Sequence, residues 1–448
     1  MKKINNKFIK SLMILAVPII LQNLITASLN LLDNVMVGHL GVSEIAAIGL
    51  ANQYYLLFFM TITGCAFGSG IFMSQFWGRK EIKNIKRYLG LSLISAVGFS
   101  ILFAIGAMVY PKYIIRIFTS DAKVISLGVG YLKYVSLSYI LTAISVSIQT
   151  CLRSTGQTSL PMKGSITGLF FNGILNYIFI FGKLGVPPMG VSGAAIGTTF
   201  ARGVELLYLT YMIYSKDNII KSSIKELFGF SSFMVKSYIQ KATPVIANDF
   251  LWILGMTFYS KAYALLGVEA IATMQIALIM NSLFLIFGQG IAIAASIMIG
   301  NNIGKGLSFE EINKDAYNIS MFTISMGIII GVIFFLVAPY ITLLFKVTKT
   351  VEYNVIYIIR IMSVVLPIRF FGVLQIIGTF RSGGDVLYAI YTEMMSLWVI
   401  GIPLAFFSAI YLKVDIRIVY MFVCAEDIAK IFFIIPRLRS GKWIKVII

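Results

Sequence analysis

Asp33 is an acid inside an apolar run, with Val35, Met36 and Val37 following before Gly38 ends it. A carboxylate in a membrane span is costly and marks a candidate functional site. Asp33 lies about one turn from the C-terminus of its helix, where the helix dipole opposes negative charge. Desolvation acts in the same direction, so an anion there invites a proton or a metal cation. Asn172 and Asn176 are four residues apart and share a helix face. Thr198 falls in the small-residue run Gly193-Ala-Ala-Ile-Gly-Thr198-Thr199, and such runs let helices approach closely. One carboxylate, two amides and a hydroxyl are a hard-oxygen set suited to Na⁺ or to a proton site. Spacing alone fits ordinary interhelical hydrogen bonding at least as well.

Other buried charges read more simply. Arg202 and Glu205 are one turn apart, as are Glu426 and Lys430, and both read as internal pairs. Glu393 and Asp427 belong to the same class, whereas Arg369 has no evident partner along the sequence. The single His39 closes the first apolar run and reads as solvated. Cys65, Cys151 and Cys424 are scattered through apolar runs with no disulfide or metal spacing. No phosphate-binding loop, dinucleotide fingerprint or metalloprotease motif is present; the string Gly300–Gly306 is one residue short of a phosphate loop and ends in Gly. The expected protein is not an enzyme and needs no cofactor, and any uphill transport would draw on an ion gradient.

The elements that position these residues are apolar helices. The chain has 448 residues, 58% of them hydrophobic and only 12% charged, where soluble domains carry roughly a quarter charged residues. Apolar runs long enough to cross a ~30 Å hydrocarbon core occur twelve times, near 11–37, 50–76, 89–110, 125–150, 162–182, 190–214, 237–262, 271–299, 317–340, 354–377, 388–411 and 414–436. They form two copies of one pattern. Ala16, Pro18, Gly41, Gly64 and Gly78 recur 226 residues later as Ala242, Pro244, Gly267, Gly290 and Gly304. Two inserted residues later, Arg153-Ser154-x-Gly156 recurs as Arg381-Ser382-x-Gly384. Asp33 has no acidic twin: its counterpart is Tyr259, and that of Asp249 is Asn23. Six crossings per copy insert both copies in the same orientation. The expected fold is all-α and membrane-integral: two pseudo-twofold-related six-helix lobes around a central cavity, the design of an alternating-access transporter. The expected division is a first lobe at 1–214, a cytoplasmic linker at 215–236 and a second lobe at 237–448.

The net charge of +19 raises the question of nucleic acid, but its placement answers it. Basic residues cluster in Met1–Lys10, Arg79–Arg87, Lys216–Lys241 and Arg437–Lys445, the bias of loops on the inner side of a membrane. Both termini are therefore expected in the cytoplasm, with membrane lipids as the partners of this charge and no nucleic acid. Pro18, Pro244, Pro367 and Pro403 lie inside apolar runs and permit bends.

The chain resembles the multidrug and toxic compound extrusion family over essentially its whole length. The strings that carry the resemblance are Ala16-Val-Pro18…Leu32-Asp33-Asn34-Val-Met-Val-Gly38-His-Leu-Gly41, Leu152-Arg153-Ser154-x-Gly156, Asn172-x-x-x-Asn176-Tyr-Ile-Phe-Ile-Phe-Gly182, Gly193–Arg202 and Phe380-Arg381-Ser-Gly-Gly-Asp385. The resemblance implies a plasma-membrane antiporter, expected to act as a monomer, that extrudes organic cations in exchange for Na⁺ or H⁺. It also implies a first-lobe cation site at Asp33, Asn172, Asn176 and Thr198. Some branches have Asp where this chain has Asn176, and losing that titratable group tilts the expectation toward Na⁺. Acids that some sodium-linked members place in the tenth helix are missing from Pro367–Gln375. In the second lobe, Asp249 with Trp252, Tyr259 and Gln275 is the candidate surface for a cationic amphiphile, through charge and aromatic faces. The alternative within this superfamily is a lipid-linked oligosaccharide flippase, for which Arg202, Arg360 and Arg369 would supply cationic lining.

Overall fold

The computed structural model describes residues 6–216, 218–345 and 347–448. Lys2 and Lys3 of the N-terminal basic cluster, and Asp217 of the linker, lie outside the described residues. Among the described residues, twelve long helical segments follow the apolar runs. In the first copy they are Asn6–Gly38, Val42–Gly78, Ile82–Val109, a fourth built from Ala122–Val135 and Leu137–Ser154, Ser159–Phe181 and Gly190–Ser215. In the second copy they are Ser232–Ala264, Val268–Gly304, Phe309–Ile341, Lys349–Arg381, Val386–Tyr411 and Ile416–Ser440. Eight are long and apolar enough to cross a membrane unaided, nine with the fourth, whose halves meet at 48°. The sixth, seventh and twelfth spans fall short because they carry Arg202, Glu205, Asp249, Glu426, Asp427 and Lys430.

Proline acts less uniformly than its count suggests. The first and seventh spans remain helical through Pro18 and Pro244. In the eleventh, the turns at Met395–Gly401, just before Pro403, widen to π-type geometry. Pro403 lacks the N–H that would bond one turn back, and a widened turn absorbs the mismatch.

The chain folds as two compact units. One comprises residues 21–246; the other comprises residues 247–448 together with the N-terminal segment up to Ile20. The boundaries fall inside the first and seventh spans. Glycine lets spans approach closely within each unit. In the 21–246 unit, a Cβ on Gly64 would lie 2.6 Å from the Ile246 side chain, and one on Gly68 would lie 2.6 Å from Ala242 Cα. In the other unit the equivalent Gly290 is pressed against Ile20. Lipid tails are as apolar as Leu, so close backbone packing has to supply much of the attraction between spans.

Polar contacts pin the helix ends in a repeated way. In the 21–246 unit, Gln157 follows the fourth span and exchanges two hydrogen bonds with Asn218, at 3.2 and 2.5 Å. In the second unit, Asp385 follows the tenth span and is bound by Arg437 at 2.7 Å and Lys445 at 2.6 Å. Trp443 is fully buried beside this clasp. In both copies the end of the sixth helix or the chain just after it ties down the loop between the fourth and fifth.

Candidate cation site

Within the 21–246 unit, the first, fifth and sixth spans bring Asp33, Asn172, Asn176 and Thr198 together. Asn176 Nδ2 donates to Asp33 Oδ1 at 2.5 Å and to Asn172 Oδ1 at 3.2 Å. Asn172 Nδ2 donates to Thr198 Oγ1 at 3.3 Å. Both asparagines are fully buried, while Asp33 and Thr198 are half-buried. The i, i+4 spacing stacks the two amides on one face of the fifth span, and Gly197 lets the sixth come down upon them. A Cβ on Gly197 would collide with Asn176 Oδ1 and stand 3.1 Å from the Asn176 backbone nitrogen.

The direction of these bonds determines what the cluster can hold. With its NH₂ group turned to two oxygens, Asn176 leaves Oδ1 buried without a hydrogen-bond partner. Flipping that amide would set oxygen against the Asp33 carboxylate, so the observed orientation is the favourable one. No Lys or Arg lies within ion-pair distance of Asp33 among the described residues. The cluster therefore has one carboxylate that makes no ion pair and one buried amide oxygen without a hydrogen-bond partner. That is the chemistry of a site for a small monovalent cation or a proton.

A small cavity, about 10 Å³, opens beside the cluster, lined by Thr26 and Leu29, Ser165 and Asn172, and Thr198, Arg202 and Glu205 among others. On its far side runs a network that sequence reading caught only at Arg202–Glu205. Arg202 Nη1 binds Glu205 Oε2 at 2.8 Å. Glu205 Oε1 accepts from Gln149 and from Ser165, both at 3.1 Å. Gln22 donates to Gln149 at 2.9 Å and to Ser165 at 3.1 Å, and it accepts from Arg153 Nη2 at 2.6 Å. The only advance signal for Gln22 and Gln149 is an amide within an apolar run, which by itself names no partner.

Among the second-lobe candidates the structure does not form one cluster. Asp249 faces Arg381 at 3.4 Å. Tyr259 is buried, and its hydroxyl donates to Glu426 Oε2 at 2.6 Å. Trp252 packs partly buried against the apolar core, and Gln275 is exposed. Tyr259 lies ten residues beyond Asp249, about 15 Å along the helix axis at 1.5 Å per residue, which separates their chemistry. Arg369 finds Asp427 at 2.6 Å and Asn281 at 2.7 Å. Lys430 binds Glu426 at 2.6 Å.

These features converge on a membrane transporter built from a duplicated helical bundle. The MatE family model matches residues 18–178 and 244–407, and the chain belongs to that family. An uncharacterized transporter, YisQ of Bacillus subtilis, is 25% identical over 92% of this chain and 90% of its own length. The probable multidrug resistance protein NorM of Thermotoga maritima is 25% identical over 97% and 93%. Among solved structures, the Vibrio cholerae MATE transporter VcmN in its bent form aligns with TM-score 0.88 at 18% identity, covering 99% of this chain and all of that one. A multidrug resistance MATE family transporter in an outward-facing conformation gives TM-score 0.88 at 19% identity, covering 97% and 96%. The chain is thus a multi-pass membrane protein and a MATE-type transporter.

The glycine contact yields a direct prediction. Gly197→Ala forces a Cβ onto Asn176, and overpacking of this kind costs about 1–3 kcal/mol, or roughly tenfold in site affinity. Gly49→Ala, where nothing lies within 4 Å of the added Cβ, serves as the control. Ion-driven efflux in proteoliposomes is expected to fall about tenfold in the first variant and to stay at the wild-type level in the second.

Proposed function

We propose that this transporter is an antiporter that exports amphipathic organic cations in exchange for Na⁺ or H⁺, with the coupling ion taken at Asp33, Asn172, Asn176 and Thr198. One observation carries the reading: a carboxylate that makes no ion pair among the described residues is hydrogen-bonded to an asparagine whose other amide atom is buried and unpartnered. The relatives named as multidrug resistance proteins support the small-molecule class of substrate. The clusters of basic residues support cytoplasmic termini in the plasma membrane. A monomer suffices for the cycle, because the ion ligands all come from one unit of one chain.

The mechanism follows from linkage. A ligand moves a conformational equilibrium only through its different affinities for the two states. The coupling ion neutralises Asp33 and favours the state that seals this site. Organic cation, bound in the alternative state, favours the return. The arginines suited to an anionic lipid-linked sugar are otherwise engaged. Arg202 is held by Glu205, Arg369 by Asp427, and Arg360 lies 5.1 Å over the Phe335 ring. The test is efflux of a fluorescent organic cation from proteoliposomes under an imposed Na⁺ gradient and, separately, an imposed pH gradient. At least one gradient is expected to drive accumulation against the dye gradient; dye movement indifferent to both would refute antiport.

A further inference from the structure

The duplication allows the cation cluster to be compared with its own repeat. At an offset of 228 residues, Val191 and Ala201 of the sixth span recur as Val419 and Ala429 of the twelfth, and Gly173 of the fifth recurs as Gly401. In that register Thr198 falls on Glu426 and Arg202 on Lys430, while Asp33 corresponds to Tyr259. Burial agrees: Val191, Ala195 and Ala201 are buried, and so are Val419, Val423 and Ala429. Within the second unit the counterparts are in contact. Tyr259 donates to Glu426 Oε2 at 2.6 Å, and Lys430 Nζ donates to Glu426 Oε1 at 2.6 Å. A Cβ on Gly401 would collide with the Tyr259 hydroxyl, and one on Gly173 would stand 3.3 Å from Leu32, next to Asp33. At this place in the second copy, the chain itself supplies the cation that its carboxylate needs.

In the 21–246 unit the same positions are wired differently. The acid is Asp33, Thr198 is neutral, and the cation is Arg202, one turn beyond Thr198 on the same helix face. Arg202 pairs with Glu205 instead, Nη1 to Oε2 at 2.8 Å. The two border the same small cavity as Asn172 and Thr198, a space for about one water molecule. Glu205 and Asp33 are the two carboxylates whose fields reach Arg202. Glu205 is the fixed half of the pair. Its side chain is 2% exposed, and it also accepts from Gln149 and Ser165, both at 3.1 Å. The Arg202 side chain is 18% exposed and long enough to turn toward either acid.

We propose that Glu205 keeps the Asp33 cluster open to Na⁺ by holding Arg202, and that Arg202, once released, is an internal cation that takes Asp33 and excludes Na⁺, as Lys430 takes Glu426 in the second copy. Arg202 and Glu205 are positioning residues for the ion; neither is one of its ligands. The charges balance in the exchange. With Na⁺ bound, Asp33 and Glu205 each have a cation. When Arg202 crosses and Na⁺ leaves, the surplus negative charge rests on Glu205, which keeps its bonds from Gln149 and Ser165. The inference rests on the coupling role proposed for Asp33 and takes Na⁺ as the ion.

The test is equilibrium binding of radiolabelled Na⁺ to the full-length purified protein in detergent, at one pH. Glu205→Gln is expected to weaken binding and Arg202→Gln to strengthen it, each about tenfold, within the usual range of coupling between sites. Arg202→Lys, which keeps the charge, is expected to bind near the wild-type level. The double variant Arg202→Gln/Glu205→Gln leaves neither partner as a lone charge, so it reads the effect even if Arg202→Gln does not fold. It is expected to bind at least as tightly as wild type, because Glu205 acts only through Arg202. Double-variant affinity as low as that of Glu205→Gln overturns the inference, since a merely structural pair would lower affinity in both. Wild-type affinity in Glu205→Gln overturns it as well. Asp33→Asn is expected to abolish binding. If it binds as wild type does, or if wild type binds no Na⁺, the assignment of Na⁺ to Asp33 falls and this inference with it. If Asp33→Asn loses binding while Glu205→Gln keeps it, only this inference falls.

Discussion

Replacing Asp33 with Asn is expected to lower ion-driven efflux of organic cation roughly 5- to 150-fold, the range spanned by a coupling free energy of about 1–3 kcal/mol. The substitution keeps the size of the side chain and its capacity to bond Asn176, whose hydrogen bond to Asp33 is 2.5 Å. What it removes is the charge, the one feature of the cluster that distinguishes an ion from water. Expression and folding should therefore be preserved, and downhill exchange of dye should survive while uphill export fails. Thr198→Ala removes only the neutral acceptor of the Asn172 bond at 3.3 Å. Its cost is about 1 kcal/mol, so its efflux should lie between wild type and Asp33→Asn. Dose–response of dye efflux in proteoliposomes, normalised to inserted protein, ranks the three. Thr198→Ala falling below Asp33→Asn would mean that packing rather than charge governs the site.

Arg369→Met is expected to have the largest effect on stability. Arg369 gives Nε and Nη2 to Asp427 at 3.0 and 2.6 Å and Nη1 to Asn281 at 2.7 Å. Removing the guanidinium leaves Asp427 as a buried charge without a partner, and breaking a pair in this way costs about 3–5 kcal/mol. Replacing both partners with apolar residues removes the desolvation penalty as well as the attraction. The double variant Arg369→Met/Asp427→Leu should therefore melt close to wild type, well above the single variant. Thermal unfolding in detergent, followed by tryptophan fluorescence, measures this. A single variant as stable as wild type would show that the pair contributes nothing to the fold.

The candidate ion cluster is legible in the sequence because its signals are local. Asn172 and Asn176 share a face by their spacing, Asp33 is an acid in an apolar run, and the small residues around Thr198 announce a close helix contact. Contacts set by helix rotation and depth are not legible. Asp249 meets Arg381 across 132 residues of chain, and nothing periodic in either helix predicts it. Tyr259 looks like one wall of a ligand surface in the sequence; in the fold it is a core side chain bonded to Glu426. An aromatic ring reads the same in both roles until its hydroxyl has a partner. The repeat itself holds more information than either copy. Arg202 acquires its further meaning only beside Lys430, its counterpart.

Equilibrium binding tests the central claim most directly: titrate a fluorescent organic cation into purified wild-type protein and into Asp33→Asn, each with and without Na⁺ and at two pH values. In wild type, the ion that couples should weaken dye binding, and dye should weaken binding of that ion by the same factor, as linkage requires. In Asp33→Asn the dye should still bind, with its affinity now indifferent to Na⁺ and pH. Equal ion sensitivity in the two proteins would contradict the assignment of coupling to Asp33.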